Sequence, residues 1–404
     1  MKYPLFERFG AELEYMLVRQ DTLDIAPIAD LLLFDAGADL DGDLDRGAFG
    51  WSNELANHVV ELKTSRPVSS LAEQQEGLQK EITWFLGHAA RHGCALLPTA
   101  MHPWMNPVEE TVLWPHGNAD IYQTYHRIFD CRSHGWTNVQ SAHLNISFAS
   151  DEEFEKLHAA IRLLLPLIPA IAASSPIVEG RQSGKMDSRL FHYRDNQALV
   201  PEIAGLVVPE AVYTEDEYRR AIFDPIAAAM AKHDPEGMLE LDFLNSRGAI
   251  ARFDRGSIEI RLVDVQECPA ADIAILQLLV ATLQWIIETV DLEKIRSVCT
   301  EDLASVLWRC AEDGGQAMIE MDAMLDLCGF ESPVIASDLW RAIFTKVGGR
   351  MPLQTRKTAA AILLSGNLSS RVLKATAEAP SRENLRSVYQ RLADCLAQNT
   401  LFQP

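Results

Sequence analysis

Residues 9–18, FGAELEYMLV, set two glutamates on either side of one leucine in a stretch that otherwise has the character of a β-strand. Side chains alternate across a strand, so Glu12 and Glu14 share one face while Ala11, Leu13, Tyr15 and Leu17 share the other. Taken alone, this describes a half-exposed strand with its polar face in water. Three more stretches repeat the pattern. In NHVVELKT (57–64), Val59, Glu61 and Lys63 lie opposite Val60 and Leu62. In SAHLNISFA (141–149), His143, Asn145 and Ser147 lie opposite Leu144, Ile146 and Phe148. In SIEIRLVDV (257–265), Glu259 and Arg261 lie opposite Ile258, Ile260 and Leu262. Strands predicted over 8–18, 58–64, 141–149 and 257–265 thus each join an apolar face to one bearing groups that suit metal or phosphate. A solvent face ordinarily carries looser mixtures of Thr, Lys, Ser and Gln.

If these strands are neighbours, their carboxylates crowd. Two unit charges about 4 Å apart repel by roughly 4 kcal/mol at an effective dielectric near 20. Glu12, Glu14, Glu61 and Glu259 then stay ionised together only with cations among them. Oxygen ligands with one imidazole suit Mg²⁺, or Mn²⁺ in its place, better than zinc, and Mg²⁺ commonly accompanies nucleotide phosphates.

Composition sets the wider limits. With 48 % hydrophobic and 23 % charged residues in 404, the chain has the make-up of a soluble globular protein with ample material for a core. A net charge of −21 opposes binding to nucleic acid or an anionic membrane. The seven cysteines are dispersed with no C-x-x-C pair, which suits reduced thiols. No apolar leader opens the chain, and the longest apolar stretch, AADIAILQLLVATLQWIIETV (270–290), is interrupted by Asp272, Gln277, Thr282 and Gln284. It is expected to be a buried helix of a cytoplasmic protein.

Helices are expected over 69–93, from a serine start to a Gly93 stop, and over 151–176, where prolines should kink or break the run. From about residue 270 the pattern is almost wholly helical, and all eleven histidines lie at or before His233. The expectation is one catalytic unit, with a sheet-containing core over 1–270 and a helical region, 271–404, packed on it.

Five stretches in order, FGAELEY, ELANHVVELKT, HLNIS, AASSPIVEGRQSGKMDSRLFHYRDNQ and ARFDRGSIEIRLVDVQECP, resemble the second type of glutamate–cysteine ligase, a carboxylate–amine ligase group. That resemblance covers about residues 8–270. It implies an α+β fold with a curved antiparallel sheet of the glutamine-synthetase type, whose concave face holds Mg²⁺, ATP and an amino acid. It implies Glu12, Glu14, Glu54, Glu61, His143 and Glu259 as metal ligands, with Glu61 and Arg261 in the catalytic machinery. Arg252 and Arg261 would meet phosphate, Arg189 substrate or phosphate, and Asn145 the bound cofactor. The implied partners are small-molecule amino acid and amine substrates; a homo-oligomer is left open. Many members of the group have a second histidine and a glycine where this chain has Asn145 and Ser147, and an acidic-Thr-Gly-Tyr run that SGKMDSR lacks. The acceptor amine is therefore open.

The activity so implied joins a carboxylate, first of all the γ-carboxylate of glutamate, to cysteine or another amine through an acyl phosphate, a step in glutathione biosynthesis. A guanidino-type phosphotransferase and a non-catalytic nucleotide-binding relative are the alternatives. Other features carry less. His88 and His92, one helical turn apart, lack the H-E-x-x-H arrangement and are expected at a helix surface or end. The aspartates at 39, 41, 43 and 45 miss the glycine and glutamate of a calcium loop and are expected in a flexible loop before Glu54. SGK at 183–185 lacks P-loop spacing, and no cysteine has a reactive setting.

Overall fold

The computed structural model describes residues 2–404. Its centre is an antiparallel sheet built from β1 (Phe9–Arg19), β2 (Leu44–Asp45), β3 (Phe49–Asn53), β4 (Val59–Thr64), β5 (Cys94–Leu97), β6 (Ser141–Ser147), β9 (Ala249–Arg252) and β10 (Ser257–Asp264). Two further pairs, β7 (Ile177–Val178) with β8 (Arg181–Gln182) and β11 (Met318–Ile319) with β12 (Val334–Ile335), form separate two-stranded sheets. Spatial order is β2-β3-β4-β1-β6-β10-β9, with β5 pairing the far end of β1. All four strands expected from alternation are present, within one or two residues of their expected ends.

Register brings the polar residues together. Across β1, Glu12 faces Lys63 on one side and His143 on the other, while Glu14 directly opposes Glu61. On the neighbouring pair, Glu259 opposes Asn145. Like charges directly opposite destabilise a sheet, so the Glu14–Glu61 pairing is costly unless something cationic compensates it. Past Ile260 the β10–β6 register shifts, and the amide of Arg261 instead bonds the carbonyl of Gly248.

The apolar residues of the same strands are buried. Ala11, Leu13, Tyr15, Leu17, Leu144, Ile146, Ile258 and Ile260 join one core that runs on to Trp340 and Ile343 in the helical region. Helices Asp151–Leu164 and Pro269–Thr289 pack against each other within it. The first has Ser150 as its N-cap, its side chain accepting from the Glu153 amide, and three acidic residues in its first turn. Pro166 then tightens the chain to a 3₁₀ turn, Leu165–Leu167, before Ile168–Ala172 resumes, as the prolines imply. Pro269–Thr289 is long and apolar enough to cross a membrane, yet 78 % of its most apolar window is buried inside the protein. Apolar residues all round a helix are what a core helix needs.

Two local expectations change. The expected loop ahead of Glu54 contains β2 and β3, and Trp51 is fully buried. A two-residue strand and a five-residue one interrupted by Gly50 are too short to show a period. The helix expected from 69 begins only as a 3₁₀ turn at Ala72–Gln74 and runs as Gln75–Ala90. His88 lies in the last turn, at the helix end expected for it, and is buried there with its Nε2 2.9 Å from the Leu32 carbonyl.

Candidate active site

The polar face of the sheet lines a cavity of about 1020 Å³, and every residue anticipated for the site borders it. Its two sides differ in charge. On β1, β4 and the turn between β3 and β4 the groups are mostly carboxylates, with His143 of β6 beside them. Glu12, Glu61 and His143 present ligand atoms all within 4.8 Å of one another, and Glu14, Glu54 and Glu61 do the same. Glu61 belongs to both triads. The helix-to-strand order behind this is simple: β1 supplies two groups two residues apart, β4 one, β6 one, and Glu54 enters from the turn between β3 and β4.

Hydrogen bonds fix these side chains. His143 lies between the two β1 carboxylates, its Nδ1 3.1 Å from Glu12 Oε2 and its Nε2 3.7 Å from Glu14 Oε1. Ser141 donates to Glu14 Oε2 through its amide at 2.7 Å and its hydroxyl at 3.0 Å. Asn145 donates to Glu12 Oε1 at 3.1 Å, so it orients a carboxylate as well as lining the cavity. Ser52 donates to Glu61 Oε1 at 3.1 Å and accepts from Lys63 Nζ at 2.9 Å. Lys63 lies 3.2 Å from Glu61 and 3.4 Å from Asp43.

The other side, on β9 and β10, carries guanidinium groups. Glu259 sits between them, with Arg261 Nε at 3.2 Å and Arg252 Nε at 3.6 Å. Both Nε atoms are buried without a hydrogen-bond partner. Arg252 also donates to the Asp242 carbonyl at 2.8 Å. Arg189 lies behind this wall. Its Nε pairs with the buried carboxylate of Asp264, and its terminal nitrogens reach the Arg261 carbonyl at 3.4 Å. From that position its main contact is with Asp264 and the strand that presents Arg261.

The electrostatics follow from burial and neighbours. Burial by itself would raise the Glu12 carboxyl, but the hydrogen bond and charge of His143, with Lys63 and Arg261, hold it down at about 2. Glu61 is pushed up to about 7, first by burial and then by the charge of Glu12, against the pull of Lys63 and His143. Glu54 is raised well above the carboxylate range by burial and by Glu14 and Glu61. Burial would depress His143, yet Glu12 and Glu14 bring it up to about 9. Burial opposes the charge of Arg261, but Tyr193 and then Glu259, Glu14 and Glu12 outweigh it, so it stays charged. The protein alone does not neutralise its own carboxylates: two of them are driven towards protonation near neutral pH.

This donor set fits divalent metal. Two overlapping triads of carboxylate oxygens, one including an imidazole, are the ligands that hard cations take. A cation would relieve the repulsion that raises Glu54 and Glu61. Lys63, Ser52 and Ser141 were not anticipated as parts of the site. Lys63 was visible on the strand face, but Ser52 needs the β3–β4 register and Ser141 acts partly through its backbone.

Comparison with known proteins gives the family and the fold. The family model for glutamate–cysteine ligase family 2 matches residues 8–324. An uncharacterized protein of Archaeoglobus fulgidus is 33 % identical over 393 residues, 97 % of this chain and 99 % of its own. A protein of Ruegeria pomeroyi provisionally named glutamate–cysteine ligase 2 is 25 % identical over 187 residues. That match covers 45 % of this chain and 44 % of the relative, so the chain matches less than half the length of that ligase. Among solved structures, glutamate–cysteine ligase of Francisella tularensis in complex with AMP superposes with a TM-score of 0.63 at 14 % identity, over 98 % of this chain and 90 % of that one. A bifunctional glutathione synthetase of Pasteurella multocida gives 0.64 at 12 % identity, over 96 % and 53 %. The fold is thus that of glutamate–cysteine ligase, and the match across most of its length shows that the chain belongs to glutamate–cysteine ligase family 2.

Proposed function

We propose that this chain is an ATP- and Mg²⁺-dependent ligase that joins the γ-carboxylate of glutamate to an amine, cysteine being the first acceptor to test. The observation that carries the reading is the pair of carboxylate triads sharing Glu61, set in one cavity beside Arg252 and Arg261. A carboxylate is a poor electrophile because oxide is a prohibitive leaving group. Transfer of the terminal phosphoryl group of ATP to it makes phosphate the leaving group instead. Bound metal, held by Glu12, Glu14, Glu54, Glu61 and His143, would supply charge neutralisation at the phosphates.

The remaining work falls to the protein's own groups. Arg261, still charged and held by Glu259, stabilises charge developing on the group in transfer. Arg252, whose Nε is ion-paired with Glu259 but makes no hydrogen bond, anchors the nucleotide phosphates. His143, fixed between Glu12 and Glu14, keeps both carboxylates aimed into the cavity. The family membership supports a ligase; the charge distribution supports phosphoryl transfer as its first step.

The test is incubation with ATP, Mg²⁺ and glutamate carrying ¹⁸O in its γ-carboxylate, with the amine varied. Amide formation should move one label per turnover to inorganic phosphate. Label in AMP would mean an adenylate mechanism. Label retained in the carboxylate would mean a kinase or an ATPase. No acceptor-dependent phosphate release across a broad amine panel would remove the ligase reading for this chain.

A further inference from the structure

The guanidinium side of the cavity ends in a feature that the charge chemistry does not use. Phe243 is 57 % exposed and Met238 39 % exposed, and both border the cavity. Large apolar side chains left in water at the mouth of a highly charged cleft carry a cost that a bound apolar surface would remove. These two belong to the segment that precedes β9, and the position of Phe243 is tied to Arg252. The Arg252 guanidinium lies over the Phe243 ring, 5.3 Å from its centroid, and donates to the carbonyl of the adjacent Asp242. Arg252 itself is only 7 % exposed, borders the same cavity, and keeps its Nε without a hydrogen-bond partner. Arg255 also borders the cavity there.

A buried guanidinium whose Nε makes no hydrogen bond, only a 3.6 Å ion-pair contact with Glu259, has room for a second anion at the cavity, and the exposed ring beside it calls for a flat apolar group. One ligand class supplies both within a few ångströms: a phosphate joined through a sugar to an aromatic base. We infer that Phe243, backed by Met238, is the platform on which the base of the nucleotide stacks, while Arg252 takes its phosphates. This assignment rests on the nucleotide-dependent reading above and extends it by fixing which end of the cavity the base occupies. The metal triads then meet the terminal phosphates, and the base faces the mouth on the β9 side.

Equilibrium binding separates this inference from the reading beneath it. Affinities for ATP and for inorganic tripolyphosphate, both with Mg²⁺, would be measured by calorimetry for the wild-type chain, Phe243→Ala and Phe243→Trp. Stacking of a base on an aromatic side chain predicts that Phe243→Ala weakens ATP binding about ten- to a hundredfold. Tripolyphosphate, which has no base, should bind all three proteins alike. Phe243→Trp should restore ATP affinity and show fluorescence quenching on binding. Because Phe243 is exposed, its replacement leaves the core intact. Unchanged ATP affinity in Phe243→Ala overturns the platform while leaving nucleotide binding in place. Equal loss of ATP and tripolyphosphate also overturns it, since the ring would then act through Arg252 alone. A wild-type chain that binds neither ligand overturns the nucleotide reading and the platform together.

Discussion

The two sides of the cavity are built from the same strand alternation but reach opposite electrostatic states. On the β1–β4 side, carboxylates oppose one another across the ladder, with Glu14 facing Glu61, and burial drives Glu54 and Glu61 towards protonation. On the β9–β10 side, Glu259 is bracketed by Arg252 and Arg261, so its charge is balanced within the protein. The first side has too few cations, Lys63 and His143, for its carboxylates, and the second has guanidinium Nε atoms that make no hydrogen bond beyond their ion pairs with Glu259. A ligand that carries both divalent metal and phosphate would answer both conditions at once. Neither side alone describes a site for it.

The contrast can be broken most severely at Glu61, the residue common to both triads. Glu61→Gln should reduce turnover to below about a thousandth of wild type, since metal-dependent charge stabilisation is worth several kcal/mol. It also removes one of the crowded charges, so the metal-free protein should melt no lower than wild type. A steady-state assay paired with thermal unfolding checks both parts. Near-native turnover at saturating Mg²⁺ would take Glu61 out of the site.

Behind the guanidinium side, Arg189→Met should act on stability first. It leaves the fully buried Asp264 without its partner, a change that typically costs about 3–5 kcal/mol. Denaturant unfolding measures this, and a stable but inactive Arg189→Met would instead make Arg189 a direct substrate contact. Arg261→Ala should show the reverse balance, with turnover about a hundredfold or more lower and little change in unfolding midpoint. Arg261→Lys should recover only part of it, because an ammonium lacks the planar fork that meets phosphate.

The smallest effects sharpen the comparison through histidine. His58, His102 and His158 are fully buried against the carbonyls of Thr137, Leu23 and Val212, and burial lowers them to about 4, about 3 and about 3. Each binds a proton more readily unfolded than folded. Their contribution is therefore intact above about pH 6.5 and lost as pH falls from there towards the folded values. His143, raised to about 9, has the opposite sign: its contribution is full below about pH 6.5 and disappears as pH rises through 9. Melting temperature of the metal-free protein against pH should fall on both limbs. His143→Gln should flatten the alkaline limb and, by letting the Glu12 carboxyl rise, also weaken the part of the acid limb that Glu12 contributes, leaving the part due to His58, His102 and His158.

Much of the site could be read from residue alternation, for a physical reason. Period two decides which residues share a face, and a face with Glu12 and Glu14, or Glu259 and Arg261, is costly enough to need explaining. The sheet brings those strands into one ladder, with Glu12 beside His143. What alternation does not encode is partner choice. Ser52 meets Glu61 only through the β3–β4 register, and β3 is a short run broken by Gly50. Arg189 has the composition of a phosphate ligand, but its role depends on Asp264, a residue far along the chain that ends β10. His88 lies on a helix whose neighbour, the segment holding Leu32, gives no sequence sign of packing against it.

The strand order has a kinetic consequence. β1 precedes every other strand of its sheet in the chain and holds a middle place in it, and its partners β4, β5 and β6 come later. β10, which carries Glu259 and Arg261, docks on β6 rather than on β1 and comes later still. Contacts between such distant segments pay their loop-closure entropy before they are rewarded, so folding should be slow for a chain of this size. During synthesis both edges of β1 wait unpaired, and an unpaired edge is a template for joining another chain. The paired glutamates on its polar face then have a second use, because like charges resist stacking of two nascent copies before the proper partners arrive.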